Sequence, residues 1–352
     1  MKSPMCKDLT PGQSVQAVFL VHSKDVRQKR TGEPYLSLVF QDRSGDIDAK
    51  MWDNVAGVLD AFERDDFVKV KGEVQLFQNR LQITVHSLQR IPDSDVDLAD
   101  FLPASQRPPA EMFAELQAIV ASLSNPHLKT LLDNILSDPE IASRYQLAPA
   151  AKGIHHAWLG GLLEHVLSLC AQARFMAAHY PAIDLDLLLT GVVLHDIGKI
   201  TELEYSRSFS YSVEGGLLGH MQIGLRIVAD HLPAGFPPKL RSLVEHMILS
   251  HHGQLEFGSP KLPVFPEALL LHHLDNLDSK MAAIFAALEK ERATPGPWTG
   301  YNAALERSFL DKEKYLAEAP AKPPVKPSGK SSSVFGQALL SAFDDTPSKG
   351  GK

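Results

Sequence analysis

The stretch "LLLTGVVLHDIGKI", Leu187 to Ile200, runs an almost wholly apolar segment into His195 and Asp196 and then meets Gly198-Lys199. An apolar pattern with no polar face predicts a buried helix, and Gly198 predicts a left-handed stop at its end. His195 and Asp196 would then share its last turn. Neighbouring helical residues diverge by about 100°, so the two side chains cannot touch each other directly, but both can reach a point off the helix end. A cation at that point would use both.

The pattern recurs along the chain. In "WLGGLLEHVLSLCAQARF" the apolar stripe of Leu162, Val166, Leu169 and Ala173 includes His165. His220 lies between "LLG" and "MQIGLRIV". His251 continues the row Leu240, Val244, Met247 with His252 turned aside, and Asp275 shares a face with Leu271, Asp278 and Ala282. A lone inward histidine is usually a hydrogen-bonded core residue. Four imidazoles and two carboxylates on separate helices are costly to bury unpaired, and metal coordination is the commonest way to satisfy such a set. Twelve of the fifteen histidines follow position 150, which concentrates this chemistry in one region.

Ahead of that region, "SVQAVFLVHSK", "PYLSLVFQD", "GDIDAKMWD", "DFVKVKGEVQLF" and "LQITVHSLQRI" read as five strands, with turns at Arg30-Thr31-Gly32, Ser44-Gly45 and Gln78-Asn79-Arg80. "NVAGVLDAFERD" has helical spacing between the third and fourth. That order predicts a five-stranded OB-fold barrel. Lys24, Arg27, Lys29 and Arg30 crowd the connection of the first two strands, and Tyr35, Phe40, Trp52 and Phe77 sit on or beside the strands. Cations and stacking faces suit single-stranded nucleic acid, although Phe40 and Phe77 read equally well as core.

The chain is a multidomain α+β protein on this reading: an OB-fold over 1–92, a linker over 93–110, an all-α domain over 111–318 and a tail over 319–352. Its 352 residues, 44% of them hydrophobic, suffice for such cores. Residues 1–92 carry 13 basic and 12 acidic side chains, a net +1 against −8 for the rest, so nucleic acid contact would rest on a local patch. Pro, Ser, Gly and Lys dominate the tail, which predicts disorder. Within it Phe335, Leu339 and Phe343 are spaced for docking on a protein partner, or form a stray apolar patch. No apolar run has the length of a membrane span and no signal-peptide core begins the chain, so a cytoplasmic setting is expected. Cys6 and Cys170 read as free, inert thiols.

The sequence His165, His195-Asp196-Ile197-Gly198-Lys199, His220, His251, Asp275 resembles the HD superfamily of metal-dependent phosphohydrolases. Together with "AAKGIHHAWLGGLLEHVLSL", "SHHGQLEFGSP", "LHHLDNLDSK" and the preceding barrel, it is similar to the YhaM type of 3'-5' exoribonuclease over nearly the whole chain except the tail. That resemblance implies release of nucleoside 5'-monophosphates and dependence on manganese or a similar divalent ion. It also implies that His165, His195, Asp196 and Asp275 ligate a first metal, with His220 and His251 joining Asp196 on a second. His252 is the alternative to His251. The pair His155-His156 would face substrate phosphate, or His156 would cap the following helix.

Mixed imidazole and carboxylate ligation suits manganese, iron, cobalt or zinc better than calcium, and a pair of such ions can activate hydroxide toward a phosphodiester. Lys199 would add positive charge to the phosphoryl oxygens, or merely oppose a helix dipole. Single-stranded RNA is the expected partner, with single-stranded DNA a second candidate, no membrane contact and homo-oligomerisation left open. Rival readings are an HD nucleotide phosphohydrolase, a cyclic-dinucleotide phosphodiesterase, whose Gly-Tyr-Pro element is absent after His251-His252, and a non-catalytic single-strand binder.

Overall fold

The computed structural model describes residues 4–77, 80–153, 156–205, 207, 209–292 and 294–317. The expectations for the tail, including Phe335, Leu339 and Phe343, and for His155 lie outside the described residues. The chain divides into two units at Glu289 and Lys290. No described helix is long and apolar enough to cross a membrane.

Strands β1 (Ser14–Gln28), β2 (Pro34–Asp42), β3 (Gly45–Met51), β4 (Phe67–Phe77) and β5 (Arg80–Arg90) close in the order β1-β2-β3-β5-β4. All pairings are antiparallel except β3 with β5. This is the five-stranded OB-fold barrel. Alternation drives it: Val15, Ala17, Phe19 and Val21 of β1 point inward, as do Val68, Val70 and Val74 of β4. Phe40 is fully buried and stacks on Phe19 at 5.3 Å, whereas Phe77 is 55% exposed.

The helix expected over 54–65 is only a single 3-10 turn, Val55–Gly57. Twelve residues are marginal for a helix, and Gly57 weakens it by about 1 kcal/mol relative to Ala. A tertiary contact then decides the matter. The Lys24 ammonium donates to the carbonyls of Leu59 and Phe62, both at 2.6 Å, while Val55 and Phe62 are drawn into the barrel core.

The segment read as a linker is itself packed. Phe101 and Leu102 are buried, and Phe101 lies 4.8 Å from Phe67 of the barrel. Ala104 then pairs with Leu159 across a parallel bridge.

Helices α1 (Pro109–Ala121), α2 (Pro126–Ser137), α3 (Pro139–Leu147), α4 (Gly161–His179) and α5 (Leu185–Leu194) come first. A one-turn α6 (Lys199–Glu202), a hairpin of β6 (Leu203–Glu204) and β7 (Ser210–Tyr211), α7 (Val213–His231), α8 (Pro238–Ser250) and α9 (Pro266–Lys290) follow. Their starts are written locally: Asn125, Asp138, Asp184 and Ser212 cap α2, α3, α5 and α7. α5 is buried on every described side and forms the spine of the apolar core. Tyr145 is wholly buried there and donates its hydroxyl to the Val193 carbonyl at 3.0 Å. Within the all-α domain expected over 111–318, the long helices end with α9. Pro295, Gly296 and Pro297 break the period, and among the described residues the short α10 (Lys312–Leu316) is the one helix that follows.

One arginine ties barrel and helices together. Arg207, between β6 and β7, bonds Asp66 at 2.9 Å and grips Asp93 with contacts of 3.0 to 3.2 Å, while Arg90 meets the same Asp66 oxygen at 3.1 Å. Burial opposes ionisation of Asp66, but the Glu63 amide and the two guanidiniums outweigh it and hold its pKa below the usual range.

Phe40→Ala should lower barrel stability by about 3–5 kcal/mol, whereas Phe77→Ala should shift it by less than about 0.5 kcal/mol. Urea unfolding of the two variants reads the difference, and equal losses would contradict the assignment of the core.

Candidate metal centre

α5 ends at Leu194, and the chain continues through His195 and Asp196 into α6 without reversing hand. Gly198 is right-handed, with φ −62° and ψ −18°, so the left-handed stop read from the sequence is absent. Glycine is needed there for another reason: a Cβ would collide with the carbonyl of His220 and crowd the amide of Gly224. The His-Asp turn is thereby brought against α7. Gly219 does use a backbone that other residues avoid, φ 72° and ψ 157°, and it breaks α7 just before His220. The freed His220 amide donates to Glu202 Oε1 at 2.9 Å, and its ring Nδ1 meets the same oxygen at 3.1 Å.

Each inward imidazole is held by its Nδ1. His195 donates to the Val192 carbonyl at 2.8 Å, His251 to Ile248 at 2.7 Å and His252 to Phe257 at 2.8 Å. His165 uses Asp278 at 2.8 Å, and that carboxylate is itself held by Ser168 and Gln172. In His195, His251 and His252 the partner is a carbonyl, which can only accept, so Nδ1 carries the proton and Nε2 offers its lone pair to the interior. Ligand imidazoles are oriented this way in metal sites.

The Nε2 atoms meet carboxylate oxygens. His165 lies 3.2 Å and His195 3.9 Å from Asp275 Oδ1. Asp196 is shared: its Oδ2 lies 3.3 Å from His195 and 2.6 Å from the Lys199 ammonium, and its Oδ1 lies 3.5 Å from His220 and 3.6 Å from His251. His195 and Asp196 therefore do approach each other, contrary to the divergence expected of neighbours in a helix, because α5 ends at Leu194 and the pair follows it. Among the described residues, His195 Nε2, Asp196 Oδ1, His220 Nε2 and His251 Nε2 are buried without a hydrogen-bond partner. Lone pairs facing lone pairs repel in a water-poor interior. Divalent cations fit this donor set, and the four atoms left unsatisfied are the ones such ions would contact.

Charge regulation follows the same geometry. Burial opposes ionisation of Asp196, but Lys199 and His195 overcome it and hold that carboxyl well below its usual range. Burial, then His195, pushes His251 well below the ordinary histidine value, so it stays neutral and able to ligate. His165 is different: burial lowers it, yet hydrogen bonds to Asp275 and Asp278 raise it to about 9.

Sequence-predicted residues are thus brought together from five helical segments: His165 on α4, His195 and Asp196 after α5, His220 on α7, His251 after α8 and Asp275 on α9. Lys199 begins α6 and pairs with Asp196, so its charge answers a carboxylate and not a helix C-terminus. A cleft of about 380 Å³ opens onto Asp196, Lys199, His251, His252, His272 and Asp275. His252 is not turned aside: its ligand atom lies within 4.8 Å of those of His220 and His251. His156 is buried, with Nε2 3.8 Å from Asp278, and α4 is capped by Gly160, so the capping role falls away. The sequence reading missed Glu202 and the supporting role of Asp278, which stands one turn past Asp275 on the same face.

On the barrel the four cations separate. Lys24 is consumed by the two carbonyls and by Glu63, leaving its side chain 8% exposed. Lys29 pairs with Glu33 and Asp53. Arg27 and Arg30 remain exposed, Arg27 beside Asp25. Arg27 pairs in register with Tyr35, whose ring stacks on Trp52 at 4.5 Å, so a cation and two flat rings lie side by side.

Residues 20–91 match the family described as OB-fold nucleic acid binding domain, and residues 162–280 match the HD domain. The 3'-5' exoribonucleases YhaM of Bacillus velezensis and Bacillus subtilis are each 37% identical to this chain over 303 residues, covering 85% of it and 95% of their own length. The protein of the same name from a Geobacillus species is 36% identical over 303 residues, covering 85% of this chain and 92% of its own.

Glu202→Ala removes the acceptor that orients His220 and should weaken divalent metal binding about ten- to a hundredfold. Titration of the metal-stripped variant with manganese measures this, and an unchanged affinity would show that His220 is not a ligand.

Proposed function

Because the chain belongs to the YhaM family of 3'-5' exoribonucleases, we propose that it degrades single-stranded RNA from the 3' end, releasing nucleoside 5'-monophosphates one at a time. Single-stranded DNA is the second candidate substrate, and the cytoplasm the setting. The observation that carries the reading is the carboxylate of Asp196, turned by one oxygen toward His195 and by the other toward His220 and His251.

His165, His195, Asp196 and Asp275 would hold one divalent ion. His220 and His251, with His252 in reach, would hold a second that shares Asp196. Manganese is favoured, with iron, cobalt and zinc as alternatives. When bound, such ions supply positive charge to the phosphodiester and acidify water. The chain's own groups do the rest. Glu202 and Asp278 fix the rings of His220 and His165, so the donors need no rearrangement during reaction. The Lys199 ammonium opens onto the cleft beside Asp196; burial works against its charge, but Asp196 keeps its pKa raised. It thus offers a cation where phosphoryl oxygens gather negative charge. Hydrolysis breaks the bond between phosphorus and the 3' oxygen of the penultimate nucleotide; water's oxygen joins the phosphate and the leaving oxygen gains a proton.

The barrel, residues 1–92, would hold the strand through Arg27, Arg30 and the Tyr35–Trp52 pair, with 93–110 joining it to a catalytic domain over 111–318. Stacking with few base-specific contacts suits an enzyme that must accept every base in turn.

Asp196→Asn should lower turnover by roughly three orders of magnitude while RNA affinity stays intact. Near-normal rates for that variant with manganese would remove Asp196 from the chemistry. Replacing both Arg27 and Arg30 by Ala should flatten the salt dependence of RNA binding by about 0.7 log units for each lost phosphate contact. An unchanged slope would take the strand path off this surface.

A further inference from the structure

The mouth of the cleft carries a side chain that neither the apolar core nor the metal set explains. Phe257 lines the cleft with Asp196, Lys199, His252 and Asp275, yet it is 61% exposed. A phenyl group left in water forgoes the burial it would gain in a core, so its placement beside a polar cleft calls for a ligand with an apolar face.

The backbone that carries the ring is held in place. Phe257 ends a 3-10 turn, Leu255–Phe257, and Gly258 follows in the left-handed conformation at φ 82°. The Ser259 amide closes the turn on the Gln254 carbonyl at 3.2 Å, and the Ser259 hydroxyl donates to the Lys261 carbonyl at 2.6 Å. The carbonyl of Phe257 itself accepts the Nδ1 proton of His252 at 2.8 Å. The residue that shows its ring to the cleft therefore also orients one of the clustered imidazoles.

Chemistry narrows the ligand. The cleft gathers the cation-binding set and Lys199, which suit phosphate, and the ring beside them suits a flat π-system. A nucleotide joins the two, with the base a short distance from its phosphate. Resting on the exonuclease reading, we propose that Phe257 is the stacking platform for the base of the 3'-terminal nucleotide, seating the scissile phosphate against the metal set. Every base has a π-face, so the platform grips each new terminus whatever its sequence.

The test compares the wild type with Phe257→Ala and Phe257→Trp in manganese, on an end-labelled oligoribonucleotide and on the same oligomer lacking only its 3'-terminal base. Phe257→Ala should raise KM for the intact oligomer about ten- to a hundredfold, with a smaller fall in kcat. Phe257→Trp should restore it. On the abasic oligomer wild type and Phe257→Ala should have the same KM, since there is no base to lose. Manganese affinity, measured without RNA, should be equal in all three proteins, which separates a lost platform from a displaced His252. An intact-oligomer KM unchanged by Phe257→Ala, or an equal loss on intact and abasic oligomers, would overturn the proposal. A wild type that releases no mononucleotides would sink the exonuclease reading itself, and the proposal with it.

Discussion

Everything in the helical region depends on one buried carboxylate being shared. Asp196 presents one oxygen to His195 and Lys199 and the other to His220 and His251. Alone, that arrangement is unfavourable, because three imidazole nitrogens and an oxygen face one another without a proton between them. Cations held there would make it favourable. The surrounding fold reads as the means of keeping these lone pairs aimed while they wait for positive charge.

The aiming is done by backbone as much as by side chains. The space at Gly198 lets α7 press on the His-Asp turn, and the break at Gly219 turns His220 and its amide toward Glu202. Carbonyls of Val192, Ile248 and Phe257 then fix three further rings through Nδ1. Donors supplied by separate helices thus behave as one preorganised set, which is the condition for electrostatic stabilisation without reorganisation. Arg207 extends the frame to the barrel: the hairpin that follows Glu202 and leads into α7 is the same hairpin that grips Asp66 and Asp93.

Strands of the barrel were legible because period-two alternation and turn residues agree, and the inward histidines because each interrupts an apolar helical row. What escaped was decided by contacts between distant residues. Helical spacing over 54–65 gave way to a lysine on β1 that takes two of the segment's carbonyls. Gly198 looked like a helix stop, since a glycine after an apolar run commonly is one, but its role is set by the approach of His220. Glu202 and Asp278 matter through hydrogen bonds to ring nitrogens, which no local pattern announces. Lys24 counted as a loop cation on charge alone, and its burial against Leu59 and Phe62 withdrew it from the surface.

The most direct measurement is anomalous diffraction at the manganese edge from crystals grown with that ion. The account predicts density bonded to Nε2 of His195, His220 and His251 and to both oxygens of Asp196, with every Nδ1 contact retained. Absence of any anomalous peak there, with the same Nε2 atoms hydrogen-bonded to protein groups instead, would contradict it.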